Sequence, residues 1–325
     1  MCPKMKRRIN PEIFTLSGVC LNGDFNPHHV CPQYLKKITE SFGCVTLVSH
    51  NCKAIIEVEW AELRPDNPTA IKIIASGCTK KSIKDDTIRI RHYSHLIDAY
   101  IHYVFLAANI ASPGCISFYS SELRHSSLTE ISTKFMLSGD TYGLMIATES
   151  SNWPEICDLD INDVKVWLEK VGYGIKQIAT TRTDKTLFSL LYLSTTSEWL
   201  LDGVLWISYA LEGLYDTPAF NIKSALTKRI ALLHGMPTAA VKKKLSRFYD
   251  IRSSLFHGRM KIPHPMHNEV LDQSILDWDE SDDVDCVALA GRVVIASIQQ
   301  LVKSNFSHLT FTESLNGSPS GLDGS

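Results

Sequence analysis

At 325 residues, with 44% hydrophobic and 21% charged residues, the chain has the composition of a folded globular protein and is too apolar for a disordered one. Its formal charge of -2 excludes a global pull toward nucleic acid, so any contact with a phosphate backbone must come from a local patch. Nine cysteines stand singly with no C-x-x-C pair, which fits reduced thiols in a cytoplasm rather than a disulfide framework.

The N-terminal MCPKMKRRINPEIF is basic without an apolar run behind it, so no signal peptide is expected. Lys53–Trp60, Ala70–Ala75 and Thr87–Arg91 carry the β-branched content and partial alternation of strands. Leu96–Ile110 reads as a helix, a Ser-Pro-Gly turn follows at 112–114, and Tyr142–Thr148 reads as a further strand. Tyr93, Tyr100, Tyr103 and Phe105, near Arg89 and Arg91, are either base-stacking rings or core, and core is the commoner use of such a stripe. Residues 1–150 are thus expected to form an α+β region of unknown role, a candidate sensor of a trigger or substrate.

Beyond residue 150 the pattern is helical. Asp160 caps a helix through Val171, with Gly172 as its stop. Lys185–Tyr215 is apolar enough for one long or two consecutive buried helices. Its most apolar part, Trp199–Tyr215, contains Asp202 and Glu212 and falls short of the about 20 apolar residues a bilayer span needs. A helix over Ala219–His234 ends at Gly235, and another opens at Pro237 and runs to His257, stopped by Gly258. The acidic stretch Asp277–Asp285 precedes a last helix over Val284–Lys303. The Ser/Gly-rich segment 311–325 is expected to be a disordered tail.

Within the helix ending at His257, Val241, Leu245, Phe248 and Leu255 form an apolar stripe, and Arg252 falls inside it. A guanidinium on a buried face demands a partner or a cleft. Glu212, projecting from an otherwise apolar helix, is the natural partner; it either orients Arg252 for catalysis or neutralises it in a structural pair. Tyr249, Ser253 and His257 follow on a flanking strip, with Asp250 nearby. Arg252 stays charged at any biological pH while His257 can exchange a proton near neutrality, the minimum set for cleaving a phosphodiester without a metal. On an ideal helix the two point about 140° apart, so they meet only by arginine's reach or loosening of the last turn. Lys242, Lys243, Lys244, Arg247 and Arg259 make either a local basic surface for RNA or a solvated helix face.

Three segments carry a family resemblance: Thr186–Ser194 (TLFSLLYLS), Gly203–Tyr215 (GVLWISYALEGLY) and Phe248–Gly258 (FYDIRSSLFHG). Together they resemble the Apea-like branch of the HEPN superfamily, in which a helix ending Leu-Glu-(small)-Leu-Tyr packs against one ending Tyr-x-x-Arg-Ser-x-x-x-His-Gly. The resemblance spans roughly residues 155–305. It implies an all-α HEPN helical bundle over 151–310 that dimerises and brings two Arg/His motifs into one cleft. Active members are metal-independent endoribonucleases of toxin and antiphage systems; others are non-catalytic dimerisation or binding modules. Carried over by position, Arg252 and His257 are the catalytic pair, leaving a 2′,3′-cyclic phosphate and a 5′-hydroxyl. Ser253 stands where many active members have Asn, Asp or His.

The implied partners are RNA, a second copy of the chain, and an unknown trigger or antitoxin; no membrane and no cofactor are implied. His28, His29, Cys31, Cys44, His50 and Cys52 match no zinc-ligand spacing, so no metal is expected there. His264 and His267 follow the motif in a Pro-rich loop and either line the mouth of the cleft or are idle, the commoner case for loop histidines.

Overall fold

The computed structural model describes residues 11–21, 32–60, 63, 69–80, 82–147, 152–195, 199–218, 220–262, 264 and 280–312. Of the expected tail only Phe311 and Thr312 fall within them, and His28, His29, Cys31, Thr148 and His267 lie outside.

In chain order, β1 (Glu12–Leu21) is followed by α1 (Pro32–Phe42), β2 (Cys44–Val48), β3 (Cys52–Val58) and β4 (Thr69–Thr79). Then come α2 (Asp86–Ala111), β5 (Ile116–His125), β6 (Ser132–Leu137) and the short α3 (Asp140–Ile146). The strands form one antiparallel sheet in the order β2-β3-β4-β1-β5-β6, curled into a half-barrel. Irregularities in β1 between Leu16 and Val19 and in β5 between Phe118 and Ser121 bend the sheet, as bulges do. Gly18 makes the close approach there possible. At φ 77° it occupies the left-handed region, and a Cβ would lie 2.4 Å from the Tyr119 carbonyl oxygen.

Helix α2 packs on β3, β5 and β6 and has no solvent-facing side from Tyr100 to Ala111 except at His102. Thr87–Arg91, expected as a strand, is its first turns. Asp85 accepts hydrogen bonds from the Thr87 and Ile88 backbone N–H groups, and Ile90, Tyr93, Ile97, Tyr100 and Val104 then recur at helical spacing on the buried side. That long-range burial outweighs the local β-branched preference of Thr-Ile-Arg-Ile-Arg. Tyr142–Ile146 is likewise helix and not strand: it buries Tyr142 and Met145, and the Tyr142 hydroxyl donates to the Leu190 carbonyl at 3.1 Å. Tyr93, Tyr100, Tyr103 and Phe105 are core side chains.

The later helices are α4 (Ile161–Lys170), α5 (Arg182–Ser194), α6 (Trp199–Leu214), α7 (Ile222–His234), α8 (Ala239–Phe256) and α9 (Glu280–Lys303). Lys185–Tyr215 thus resolves into two helices. Helix α9 is the hub: it contacts α2, α3, α4, α6 and α8. Gln299 joins the halves of the chain, its amide donating to the carbonyls of Ile110 and Cys157 at 2.8 Å while Cys157 N–H donates back to Oε1 at 2.9 Å. Arg292, buried, donates to the Pro154 and Ile146 carbonyls at 2.8 and 2.9 Å. Such buried, hydrogen-bonded polar groups fix the register of a buried helix.

These contacts overturn the expectation of an all-α HEPN bundle over 151–310, while the expected N-terminal α+β part holds. Residues 151–310 do not close a helical core of their own. One continuous cluster of buried side chains runs from Phe14 in β1 to Val302 in α9, so the chain is an α+β fold with its helices built onto a curled sheet. By length and composition Asp282–Lys303 could cross a membrane, but 83% of its apolar 18-residue window is buried against the rest of the protein, as in a core helix.

Candidate functional site

Helix α8 carries the motif. Thr238 caps its start, accepting from Val241 N–H, and Val241, Leu245, Phe248, Tyr249 and Ile251 are its buried residues. Its end is closed by glycine: Gly258 sits at φ 65°, and Arg259 N–H reaches back to the Ser254 carbonyl at 2.8 Å. That backward bond is the Schellman arrangement, which glycine favours because the left-handed conformation penalises a Cβ. His257 is the C-cap residue, exposed, with its backbone N–H on the Ser253 carbonyl at 3.1 Å.

Arg252 is three-quarters covered. Its Nη2 lies 2.8 Å from Glu212 Oε1, reaching from α8 to α6. The approach is off the hydrogen-bond direction, so the contact is ionic; Glu212 Oε1 and Arg252 Nε have no hydrogen-bond partner although both are buried. The guanidinium also lies over the Phe256 ring, 4.7 Å from its centroid. Phe256 stands at i+4 from Arg252, a spacing that brings the two side chains together and was visible in the sequence, where it went unused. Phe256 itself is half exposed. So are Leu205 and Tyr209 of α6, which share a helical face with Glu212.

The other candidate residues divide. Tyr249 is buried, its hydroxyl without a partner; burial first, and the Glu212 charge second, push its pKa far up, so it is a neutral phenol. Asp250 is exposed and pairs with Lys223 at 3.0 Å. Ser253 is half-buried beside the helix end. Of the basic residues, Lys244 bonds Asp285 at 3.0 Å and Arg247 makes two bonds to Asp283 at 2.8 and 3.0 Å, both toward α9. Lys242, Lys243 and Arg259 are exposed. The basic strip is therefore partly consumed in holding α8 to α9.

Among the described residues, no hydrogen bond or ion pair joins Arg252 to His257. The helix stays regular through Phe256, so no loosening of its last turn closes the angular gap between them. What one chain presents is an oriented guanidinium, a carboxylate against it and an exposed imidazole at the helix terminus. Among the described residues, no group of three or more His, Cys, Asp or Glu side chains is placed to hold a metal ion. No family model, curated protein or solved structure matches this chain.

Proposed function

We propose that the protein is a metal-independent endoribonuclease in which Arg252 of one copy and His257 of a second complete a shared site. The observation that carries this reading is the Arg252 guanidinium at the end of α8, held from both sides by Glu212 and Phe256 yet still a quarter exposed. A cation fixed in this way is pre-organised for charge developing on a phosphorus, where an unpaired surface arginine is not. The reading calls for a second copy because Arg252 is engaged by Glu212 and Phe256, and no hydrogen bond or ion pair among the described residues joins it to His257 of its own chain. Phe256, beneath Arg252, and Leu205 and Tyr209, on the Glu212 face of α6, are exposed apolar residues that such a contact would cover.

In this reading His257 removes the proton of the ribose 2′-hydroxyl, which attacks the adjacent phosphorus. Arg252 stabilises the pentacoordinate oxyanion. The same His257, now protonated, passes that proton to the leaving 5′-oxygen, giving a 2′,3′-cyclic phosphate and a 5′-hydroxyl. The three-segment resemblance to the Apea-like branch supports the same assignment, and with it a cytoplasmic role in a toxin or antiphage system under an unknown trigger or antitoxin.

The test is RNA cleavage in EDTA by the wild type, Arg252→Ala and His257→Ala. Each variant is expected to lose about 10²–10⁴-fold. Mixing the two inactive variants restores about a quarter of wild-type activity, because half the dimers regain one intact site. Equal background from all three folded proteins over a broad RNA panel sinks the proposal. The Glu212–Arg252 ion pair favours one second reading, a non-catalytic RNA- or nucleotide-binding module in which the pair is structural. That reading is supported if RNA binds without being cut.

A further inference from the structure

Away from Arg252 and His257, a cavity of about 690 Å³ opens between α2, α5, the β2–β3 turn and the loop after α4. Its size falls in the range of about 300–1,000 Å³ usual for small-molecule sites. The two long walls differ in chemistry. On α2, His92, His95, Ala99 and His102 recur at the spacing of one helical face, with Asp98 beside them. Facing them, Phe188, Leu191 and Tyr192 of α5 give a largely apolar wall, and the buried Tyr173 closes one end. Tyr192 is braced from behind by Trp206 of α6, the two rings stacked at 4.3 Å and 5°.

The α2 wall is rich in acceptors. Asp98 Oδ1 is buried with no hydrogen-bond partner, and Oδ2 stands 3.9 Å from His95 Nδ1. His102 Nδ1 lies 2.8 Å from the Asp98 carbonyl oxygen; a carbonyl only accepts, so the proton is on Nδ1 and Nε2 is the acceptor nitrogen. Burial lowers the pKa of both His92 and His102, which keeps these imidazoles neutral at pH 7. At the rim, Lys80 Nζ lies 2.7 Å from His50 Nε2, placing a cation beside the cavity mouth. Lys176 Nζ, also on the lining, holds both Asp184 oxygens at 2.8 and 2.9 Å, so its charge is already matched.

A ligand complementary to these walls is flat and apolar on one face, brings N–H donors to the acceptor wall, and tolerates or uses an anionic group at the rim. We propose that the cavity binds an amino-bearing nucleobase, as a nucleoside or nucleotide of the adenine or cytosine type. The base lies against Phe188, Leu191 and Tyr192, its exocyclic amine serves Asp98, and a phosphate, where present, faces Lys80 and His50. This site is separate from the Arg252 site and stands whether or not RNA is cut there.

The experiment is calorimetric titration of the full chain with adenosine, AMP, CMP and IMP. AMP and CMP are expected to bind about tenfold or more tightly than IMP, since the Asp98 carboxylate accepts from an exocyclic amine and has nothing to donate to an oxo group. AMP binding tighter than adenosine assigns the phosphate to the rim; equal affinity leaves the base as the recognised part. Asp98→Asn, which supplies an amide donor, shifts the preference toward IMP. Leu191→Trp fills the slot and removes binding, with Ala99→Leu as the filler from the other wall should the first variant not fold. Arg252→Ala leaves AMP affinity unchanged. The proposal is overturned if none of the four ligands binds, if AMP and IMP bind alike, if a folded filler variant binds as the wild type does, or if Arg252→Ala abolishes binding.

Discussion

Asp98 bears a specific cost that substitution should remove. Desolvation raises its pKa from 3.8 to about 6, and a bond from Thr133 only partly offsets the burial. Holding the carboxyl ionised at neutral pH therefore costs the folded state about 3 kcal/mol, at 1.36 kcal/mol per tenfold change in proton affinity. With 19% of the side chain exposed, water trims this to about 2 kcal/mol. The sign follows from which state binds protons more tightly. The folded pKa is the higher one, so the penalty is full above pH 6, shrinks as pH falls, and is gone below about pH 4. Asp98→Asn keeps an oxygen for Thr133 and removes the charge, at the risk of an unpartnered amide N–H worth about 1 kcal/mol. The expected gain is about 1–2 kcal/mol at pH 7.5 and none at pH 4.5. Urea unfolding at the two pH values, followed by circular dichroism, reads it as a rise in midpoint without change in slope. An unchanged or lowered midpoint at pH 7.5, or a gain that persists at pH 4.5, refutes the reasoning.

His234 has the opposite pH sign. Burial pulls its pKa from 6.5 to about 4, and Nε2 lies 2.9 Å from Ser297 Oγ. Its contribution is full above pH 6.5 and is lost as pH falls toward 4, by up to about 3 kcal/mol. An NMR titration that finds the ring protonating near 6.5 in the folded protein contradicts this. Gly291 in α9 has room for no side chain: a Cβ would lie 2.7 Å from Met145 Cγ and Sδ and 3.1 Å from Ile207 Cδ1. Gly291→Ala should destabilise by about 1–2 kcal/mol, overpacking outweighing helix propensity, and Met145→Ala should relieve part of it. Equal thermal midpoints for Gly291→Ala and the wild type would show that Met145 moves aside freely.

Helix ends were legible in the sequence where a single local device sets them. Asp160 caps α4 and Gly258 ends α8, and both depend on a few adjacent residues. The sheet was much less so. In β5, Ser117 and Ser121 are fully buried polar residues, and their hydroxyls engage backbone groups on other strands and turns that no local pattern reveals. Thr87–Arg91 and Tyr142–Ile146 misled for the complementary reason: short β-branched or apolar runs do not say which period the rest of the fold will impose. At the candidate site, a charged residue within an apolar stripe was enough to mark Arg252 and to suggest Glu212. The pairing of Lys244 and Arg247 with carboxylates of α9 was not visible, since it depends on how two helices far apart in the chain are laid together. The histidines of α2 gave no signal either, because His50 and α5 meet them only through the tertiary fold.

The position of α9 bears on how the protein is made. Every other described element precedes it in the chain, yet α2, α3, α4, α6 and α8 all rest on it. A ribosome therefore exposes the sheet and the other helices well before their common support has been translated. Until residues 280–303 emerge, the faces of α6 and α8 that α9 covers stay open, and the polypeptide cannot complete its fold from the N-terminus onward. Prematurely terminated chains that stop before α9 would be substrates for chaperones and proteases.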